Sequence, residues 1–226
     1  MDQIIQLDRQ FLLALNGSDS LFWDSVMLML THTLTWLPLA LMLLYVVVKN
    51  CQWRQVLLFL LMAGLLILIT DRVSSGLFKP YFHRLRPTHD PALAQLVDVC
   101  RGYRGGLYGF FSSHAANTFG LSMFVSLALR HRPTTIALFA WSLLSGYTRI
   151  YLGVHYPGDI LVGMLFGLLC GYLVYRIYAW FQLRYELGGQ YYSEQYTSTG
   201  FLSDDCELLP ATFLATLVIV AICALW

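Results

Sequence analysis

Three short clusters hold most of the residue types that can do chemistry in this chain. They are Lys79-Pro-Tyr-Phe-His-Arg-Leu-Arg86-Pro87, Phe111-Ser-Ser-His114 and Arg149-Ile-Tyr-Leu-Gly-Val-His155-Tyr-Pro-Gly-Asp159. Lys79, Arg86 and Arg149 are three cations suited to one anion: the planar fork of arginine matches phosphate oxygens, and lysine adds a point charge. A transferring phosphoryl group spreads charge over its equatorial oxygens, so its catalysis is mostly preorganised charge stabilisation. Ser112 and Ser113 precede an apolar run that reads as a helix, and the N–H groups at a helix start favour an anion.

His155 lies four residues before Asp159, with Pro157-Gly158 forcing a turn between them. The spacing predicts Asp159 as the N-cap of the next helix, accepting the Nδ1 hydrogen of His155 and leaving Nε2 free to attack phosphorus. His114 would then protonate the leaving oxygen, since an imidazole changes protonation state near neutrality. Each piece also has a structural reading. Rim arginines meet headgroups or snorkel, Ser-Ser-His before a helix caps it, and a His-x3-Asp pair braces a turn. The combination favours chemistry, because three cations and two histidines beside hydrocarbon are costly unless used.

The elements that must position these groups are membrane helices. Of 226 residues, 58% are hydrophobic and 12% charged, against roughly 25% charged in a soluble domain, and the mean hydropathy is +0.60. Apolar runs predict six spans at about 22–48, 55–78, 113–129, 134–150, 159–181 and 210–226, since a crossing takes roughly 20 residues. They are continuously apolar and so cannot be barrel strands. The expected fold is an all-α polytopic bundle. Residues 1–181 would form the catalytic membrane domain, 182–209 a polar linker and 210–226 a C-terminal span. At the start, Ile4, Ile5, Phe11, Leu12 and Leu15 share one helical face, ended by Asn16-Gly17: a short helix in the interface, or one packed on the bundle. With six spans, loops 79–112 and 149–158 fall on one side of the membrane.

Composition excludes other classes. A net charge of +1 argues against a nucleic-acid partner. The five cysteines lack metal-ligand spacing, and no secretory signal is read in residues 1–17.

The clusters resemble the type 2 phosphatidic acid phosphatase superfamily: Lys79–Pro87 is similar to its K-x6-R-P motif, Ser112–His114 to P-S-G-H, and Arg149–Asp159 to S-R-x5-H-x3-D, in the same order. The resemblance covers roughly 56–181. It implies an all-helical core, a phosphohistidine intermediate and no metal or other cofactor. It also implies phosphate binding by Lys79, Arg86, Ser112, the Ser113 backbone and Arg149. The catalytic set would be His114 as acid, His155 as nucleophile and Asp159 as its orienting carboxylate. Phe111, Ser113 and Thr148 depart from the motif proline, glycine and serine. The compact size resembles bacterial undecaprenyl-pyrophosphate and lipid A phosphatases of that family.

The sequence thus predicts an integral membrane phosphatase acting on a lipid phosphate or pyrophosphate. Vanadate haloperoxidase-like chemistry and a non-enzymatic lipid-binding or transport protein are the alternatives. The charged pair Asp71-Arg72 reads as a partner set for the motif cations, or as part of the site. Arg101 and Arg104 could meet a second phosphate, or lie on a plain surface loop. With Lys79, Arg86 and Arg149 set aside, Arg9, Arg84, Arg101 and Arg104 lie on the active side. Lys49, Arg54, Arg130, Arg132, Arg176 and Arg184 lie opposite. By the positive-inside rule this predicts an active site outside the cytoplasm, and the resemblance implies the same orientation in a bacterial inner (cytoplasmic) membrane, with the site facing the periplasm or exterior.

Overall fold

A computed structural model of the protein describes residues 2–93, 95–185, 187 and 195–226. Among them the fold is all-helical, without a strand. The helices are α1 (Asp2–Leu15), α2 (Leu21–Thr31), α3 (Leu37–Asn50), α4 (Trp53–Asp71), α5 (Lys79–Phe82), α6 (Ser113–Leu129), α7 (Arg132–Tyr151), α8 (Pro157–Arg184) and α9 (Ser203–Cys223). Four stretches among the described residues are long and apolar enough to cross a membrane: Thr33–Asn50, Trp53–Phe82, Pro157–Arg184 and Ser203–Cys223. Their outer faces carry exposed Leu57, Leu61, Leu68, Leu165, Leu169, Val218 and Ile219, as a lipid-facing surface requires.

The first expected span, 22–48, is not one helix. It breaks at His32, where α2 ends, and resumes as a 3-10 turn, Thr33–Trp36, and then α3. Pro38 is the cause readable in the sequence: it has no N–H to donate and its ring crowds the carbonyl four residues back. The carbonyls freed at the break find side chains instead, Met29 O accepting from Thr35 Oγ1 (2.6 Å) and Leu30 O from Trp36 Nε1 (2.9 Å). α2 therefore ends among the functional groups described below rather than running past them.

The last helix also differs from its expected bounds, starting at Ser203 instead of 210 and carrying Pro210 inside. Asp204 and Asp205 suit a helix N-terminus, and Asp205 accepts from Lys49 Nζ (2.7 Å) and Asn50 Nδ2 (3.0 Å). The proline cannot donate to the Cys206 carbonyl one turn earlier. Thr134 Oγ1 donates to it at 2.9 Å, so the helix continues through the proline. Of the polar linker expected at 182–209, residues 186 and 188–194 lie outside the described residues.

The core runs between α4, α6, α8 and α9, with Leu66, Phe124, Val125, Leu129, Val174 and Leu209 almost fully buried. Gly163, Gly167 and Gly171, one turn apart on α8, meet the backbone of α6. A Cβ on Gly167 would stand 2.3 Å from the Ala116 carbonyl oxygen. Small residues at this spacing let membrane helices approach closely. α6 and α8 both begin at the same end of the bundle, whereas α4 and α7 end there. α1 lies across that end. Leu12 is buried against the bundle while Ile5, Phe11 and Leu15 stay exposed; the Ile4 side chain is outside the described set. The expected single apolar face is thus divided between protein and surroundings.

Candidate active site

Lys79 comes from the end of α4, which widens into a π-helical stretch over Arg72–Phe78 before α5. Such wide turns redirect side chains and recur at functional sites. Lys79 Nζ donates to Ser75 Oγ (3.3 Å) and Ser113 Oγ (3.2 Å). Asp71 accepts from Ser75 at 3.4 Å, so the carboxylate of the Asp71-Arg72 pair reaches Lys79 through a serine. His83, in the left-handed conformation (φ 50°), ends α5 and turns the chain. Residues 84–86 then pair with 107–109, Arg86 N donating to Leu107 O (3.0 Å) and Gly109 N to Arg84 O (2.9 Å).

Arg86 and Arg149 are both buried, at 8% and 4% exposure. Arg86 Nε donates to Tyr108 O at 3.1 Å. Arg149 Nη1 donates to Thr31 Oγ1 (2.6 Å), brought by the break after α2, and to Tyr103 Oη (3.0 Å). Arg86 Nη1 and Arg149 Nε have no partner within the protein although both are buried. Unpaired buried guanidinium hydrogens are rare, and a phosphate oxygen is the acceptor their geometry suits. Burial and the Arg149 charge push the Arg86 pKa down to about 10, which still leaves it cationic near neutrality.

His155 stands on the turn after α7. Gly153 (φ 65°) permits the reversal, and the Arg149 carbonyl accepts from both Val154 N (3.1 Å) and His155 N (3.2 Å). One backbone oxygen thereby ties the phosphate-facing arginine to the histidine. His155 Nδ1 is 3.3 Å from Asp159 Oδ2, and both residues are buried. Asp159 is not the N-cap as its spacing had suggested. α8 starts at Pro157, and Asp159 is the third residue in, folding back to accept from Tyr156 N at 3.2 Å. The proline, with its φ preset, begins the helix earlier, and the carboxylate still faces the imidazole. Burial first, then the Arg86, Arg149 and Lys79 charges, hold the His155 pKa well below 6.5. The ring is neutral, as a nucleophile must be.

Ser112 caps α6, its Oγ accepting from Ala115 N (3.4 Å), while its own N–H goes to Asp159 O (3.1 Å). Ser113 Oγ meets Lys79, and His114 follows in the first turn, partly exposed on the same rim. Phe111, at the motif proline position, packs on Phe78 and Phe166, and Thr148, at the motif serine position, donates to Ser145 O and Thr31 Oγ1. All the residues expected to act, Lys79, Arg86, Ser112, Ser113, His114, Arg149, His155 and Asp159, lie on this one rim. Arg101 and Arg104 are engaged elsewhere, with Ser25 Oγ (2.7 Å) and Thr88 O (3.0 Å).

Four residues here were not among the catalytic or phosphate-binding set expected from the sequence. Thr31 and Tyr103 hold Arg149. Gly109 packs over the His155–Asp159 pair, where a Cβ would be 3.1 Å from Asp159 Oδ2. Arg84 donates to Asp159 Oδ1 at 2.7 Å. Asp24, Asp98 and Cys100 bring possible metal ligands within 4.8 Å of one another, but Asp24 there accepts from Tyr151 Oη (2.7 Å) and is not among the phosphate-facing groups.

Residues 53–183 match the sequence model described as the PAP2 superfamily. The chain belongs to the PAP2 superfamily. The matched region contains every residue of the rim named above except Thr31. The chain is similar to the lipid A 4'-phosphatase of Bacteroides thetaiotaomicron, 39% identical over 172 residues and 76% of each chain. It is similar to the lipid A 4'-phosphatase of Porphyromonas gingivalis, 34% identical over 185 residues, 82% of this chain and 78% of the relative. A shorter likeness, 31% over 67 residues, joins 30% of the chain to 34% of undecaprenyl-diphosphatase BcrC of Bacillus subtilis. No solved structure matches. As a PAP2 superfamily member this is an integral membrane enzyme, a phosphoric ester hydrolase acting as a lipid phosphatase.

Proposed function

We propose that the enzyme removes a phosphate monoester from a lipid of the lipid A class, through a phosphohistidine on His155. Two buried arginines with hydrogens free for an anion, beside a neutral histidine braced by a carboxylate, carry this reading. His155 Nε2 attacks phosphorus as the P–O bond to the lipid breaks, and His114 gives its proton to the departing oxygen. Water then attacks the phosphohistidine, yielding inorganic phosphate, and His114 takes the proton back. Lys79, Arg86, Arg149, Ser112 and the Ser113 N–H hold the phosphate oxygens, and Asp159 fixes the tautomer of His155. The choice of lipid rests on two lipid A 4'-phosphatases that align over three quarters or more of both chains.

In this reading α6 and α7 also cross the bilayer, giving six crossings, with 1–181 as the catalytic unit and the active rim on the periplasmic or exterior face of an inner membrane. The substrate enters from the bilayer with its phosphate at headgroup depth. Each methylene kept in hydrocarbon is worth about 0.8 kcal/mol, so the chains hold the substrate in the bilayer and concentrate its phosphate beside the rim. Phosphate release by the purified chain from lipid A, undecaprenyl pyrophosphate, phosphatidylglycerophosphate and a water-soluble sugar phosphate tests it. The expected order of kcat/KM puts lipid A first and the soluble ester last; equal efficiency on all four overturns the reading.

A further inference from the structure

Arg84 and Asp8 have no part in the steps above, yet together they hold the carboxylate that faces His155. Asp159 Oδ2 is shared between His155 Nδ1 (3.3 Å) and Tyr156 N (3.2 Å), and Oδ1 accepts from Arg84 Nη1 (2.7 Å). A carboxylate with one oxygen so divided is free to swing unless the other is fixed. Arg84 fixes it. The second arm of the guanidinium, Nη2, donates to Asp8 Oδ2 at 2.6 Å, and the Tyr156 ring lies under the cation with its centroid 4.0 Å from Cζ. Asp8 Oδ1 accepts from Gly158 N at 2.7 Å, in the first turn of α8, directly before Asp159. Asp8 thus closes the loop, binding both the arginine and the helix end that carries Asp159. The next residue of α1, Arg9, adds a second latch, donating to Asp90 Oδ2 (2.8 Å), which also accepts from Tyr156 Oη (2.9 Å). Asp8 and Arg9 precede the region that matches the superfamily model.

We propose that Arg84 and Asp8 are positioning residues: Asp8, on the N-terminal helix, sets the guanidinium plane of Arg84, which sets the Asp159 carboxylate and through it the aim of His155. The inference rests on His155 being the nucleophile. It makes α1 a working part of the site, because the brace on Asp159 reaches back to that helix. The planar fork is essential, since a lysine carries the charge but cannot hold two carboxylates in one plane.

The test uses the full chain and long-chain lipid phosphate, with kcat, KM and the inhibition constant of inorganic phosphate measured for Arg84→Gln, Arg84→Lys, Asp8→Asn and His155→Ala. Arg84→Gln is expected to lower kcat on the order of 10–100-fold, the usual cost of losing an outer partner. KM and inhibition by inorganic phosphate, a ground-state ligand of the three cations, should stay within about threefold, as for a group acting on the transition state. Arg84→Lys should recover part of the loss. Asp8→Asn should lose less, since Arg84 keeps its bond to Asp159. A kcat for Arg84→Gln within twofold of the parent overturns the inference. So does a loss of phosphate inhibition in step with kcat in both Arg84 variants, which would mark a collapsed pocket and a merely structural arginine. His155→Ala separates this result from the catalytic assignment. If His155→Ala still turns over, the nucleophile is wrong. If it is dead while the Arg84 and Asp8 variants run at the parental rate, only the positioning role fails.

Discussion

His155 is neutral because it is buried among cations, and this decides two measurable properties. A histidine whose folded pKa lies below its unfolded value is neutral in the folded chain through the window where the unfolded chain takes up a proton. Stability contributed by that difference is fully present above about pH 6.5 and is lost as pH falls toward the folded pKa. The acid limb of kcat/KM reports groups of the free enzyme, so protonation of His155 should not depress it until well below 6.5. A pH profile measured between pH 4 and 8 checks this, and an acid limb removed by no other substitution and centred at 6.5 would contradict it. His155→Ala should abolish turnover in a folded protein. Asp159→Asn should leave a residual rate, because it loses orientation and not the attacking atom. Near-parental activity in His155→Ala would reassign the roles. These residues were legible in the sequence because their chemistry is intrinsic to their types and their spacing is local. Arg84 was not. Two positions from Arg86 it reads as another rim charge, and its partners Asp8 and Asp159 lie 76 and 75 positions away, where only the fold brings them together.

Between elements, the closest approach is that of α8 to α6. A methyl group on Gly167 would press into the Ala116 backbone rather than a movable side chain, so Gly167→Ala must part the helices. The expected result is a drop in thermal stability in detergent by about 1–3 kcal/mol, typical of overpacking, with a fall in activity because Ser112 and Asp159 sit at the shared end. Gly109→Ala is the gentler counterpart. Its methyl meets the Asp159 carboxylate and the Arg86 stem, and kcat should fall while stability barely moves; a scan of Tm against kcat for the two variants separates them. The helices themselves were readable as apolar runs, and α4, α6, α7 and α8 begin or end within a few residues of expectation. What hydropathy hid was punctuation. Pro38 and Pro210 both lie inside apolar runs. One breaks its helix and the other does not, because Thr134 satisfies the Cys206 carbonyl that Pro210 leaves open. That rescue comes from another helix and cannot be read from the local sequence.

For the molecule as a whole, sidedness is the property left to measure. Cys100 would be a poor reporter, since it is 2% exposed, and burial, then the nearby Asp24, raises its pKa to about 12, whereas labelling needs thiolate. Leu96, 63% exposed in the same loop, is the better position. Leu96→Cys with Cys223 removed should react with an impermeant thiol reagent in intact cells, or in spheroplasts where an outer membrane intervenes. Protection there, with labelling after lysis, would place the rim inside. Three cations already supply the charge a metal would bring, so phosphate release is expected to survive chelator.

The shared origin of α6 and α8 has a mechanical consequence. His114 rides on one and Asp159 on the other, and the two are fused by backbone contact along three turns and by the Ser112–Asp159 bond. The pair behaves as a single stiff plank standing in the bilayer. Stretching or thinning the membrane tilts such a plank at a cost of fractions of a kcal/mol per Å without changing the gap between its two upper corners. Reconstituted into bilayers of short and long acyl chains, the enzyme should therefore keep its kcat nearly constant while KM drifts with the depth of the headgroups, and Gly167→Ala, which splits the plank, should make kcat follow bilayer thickness.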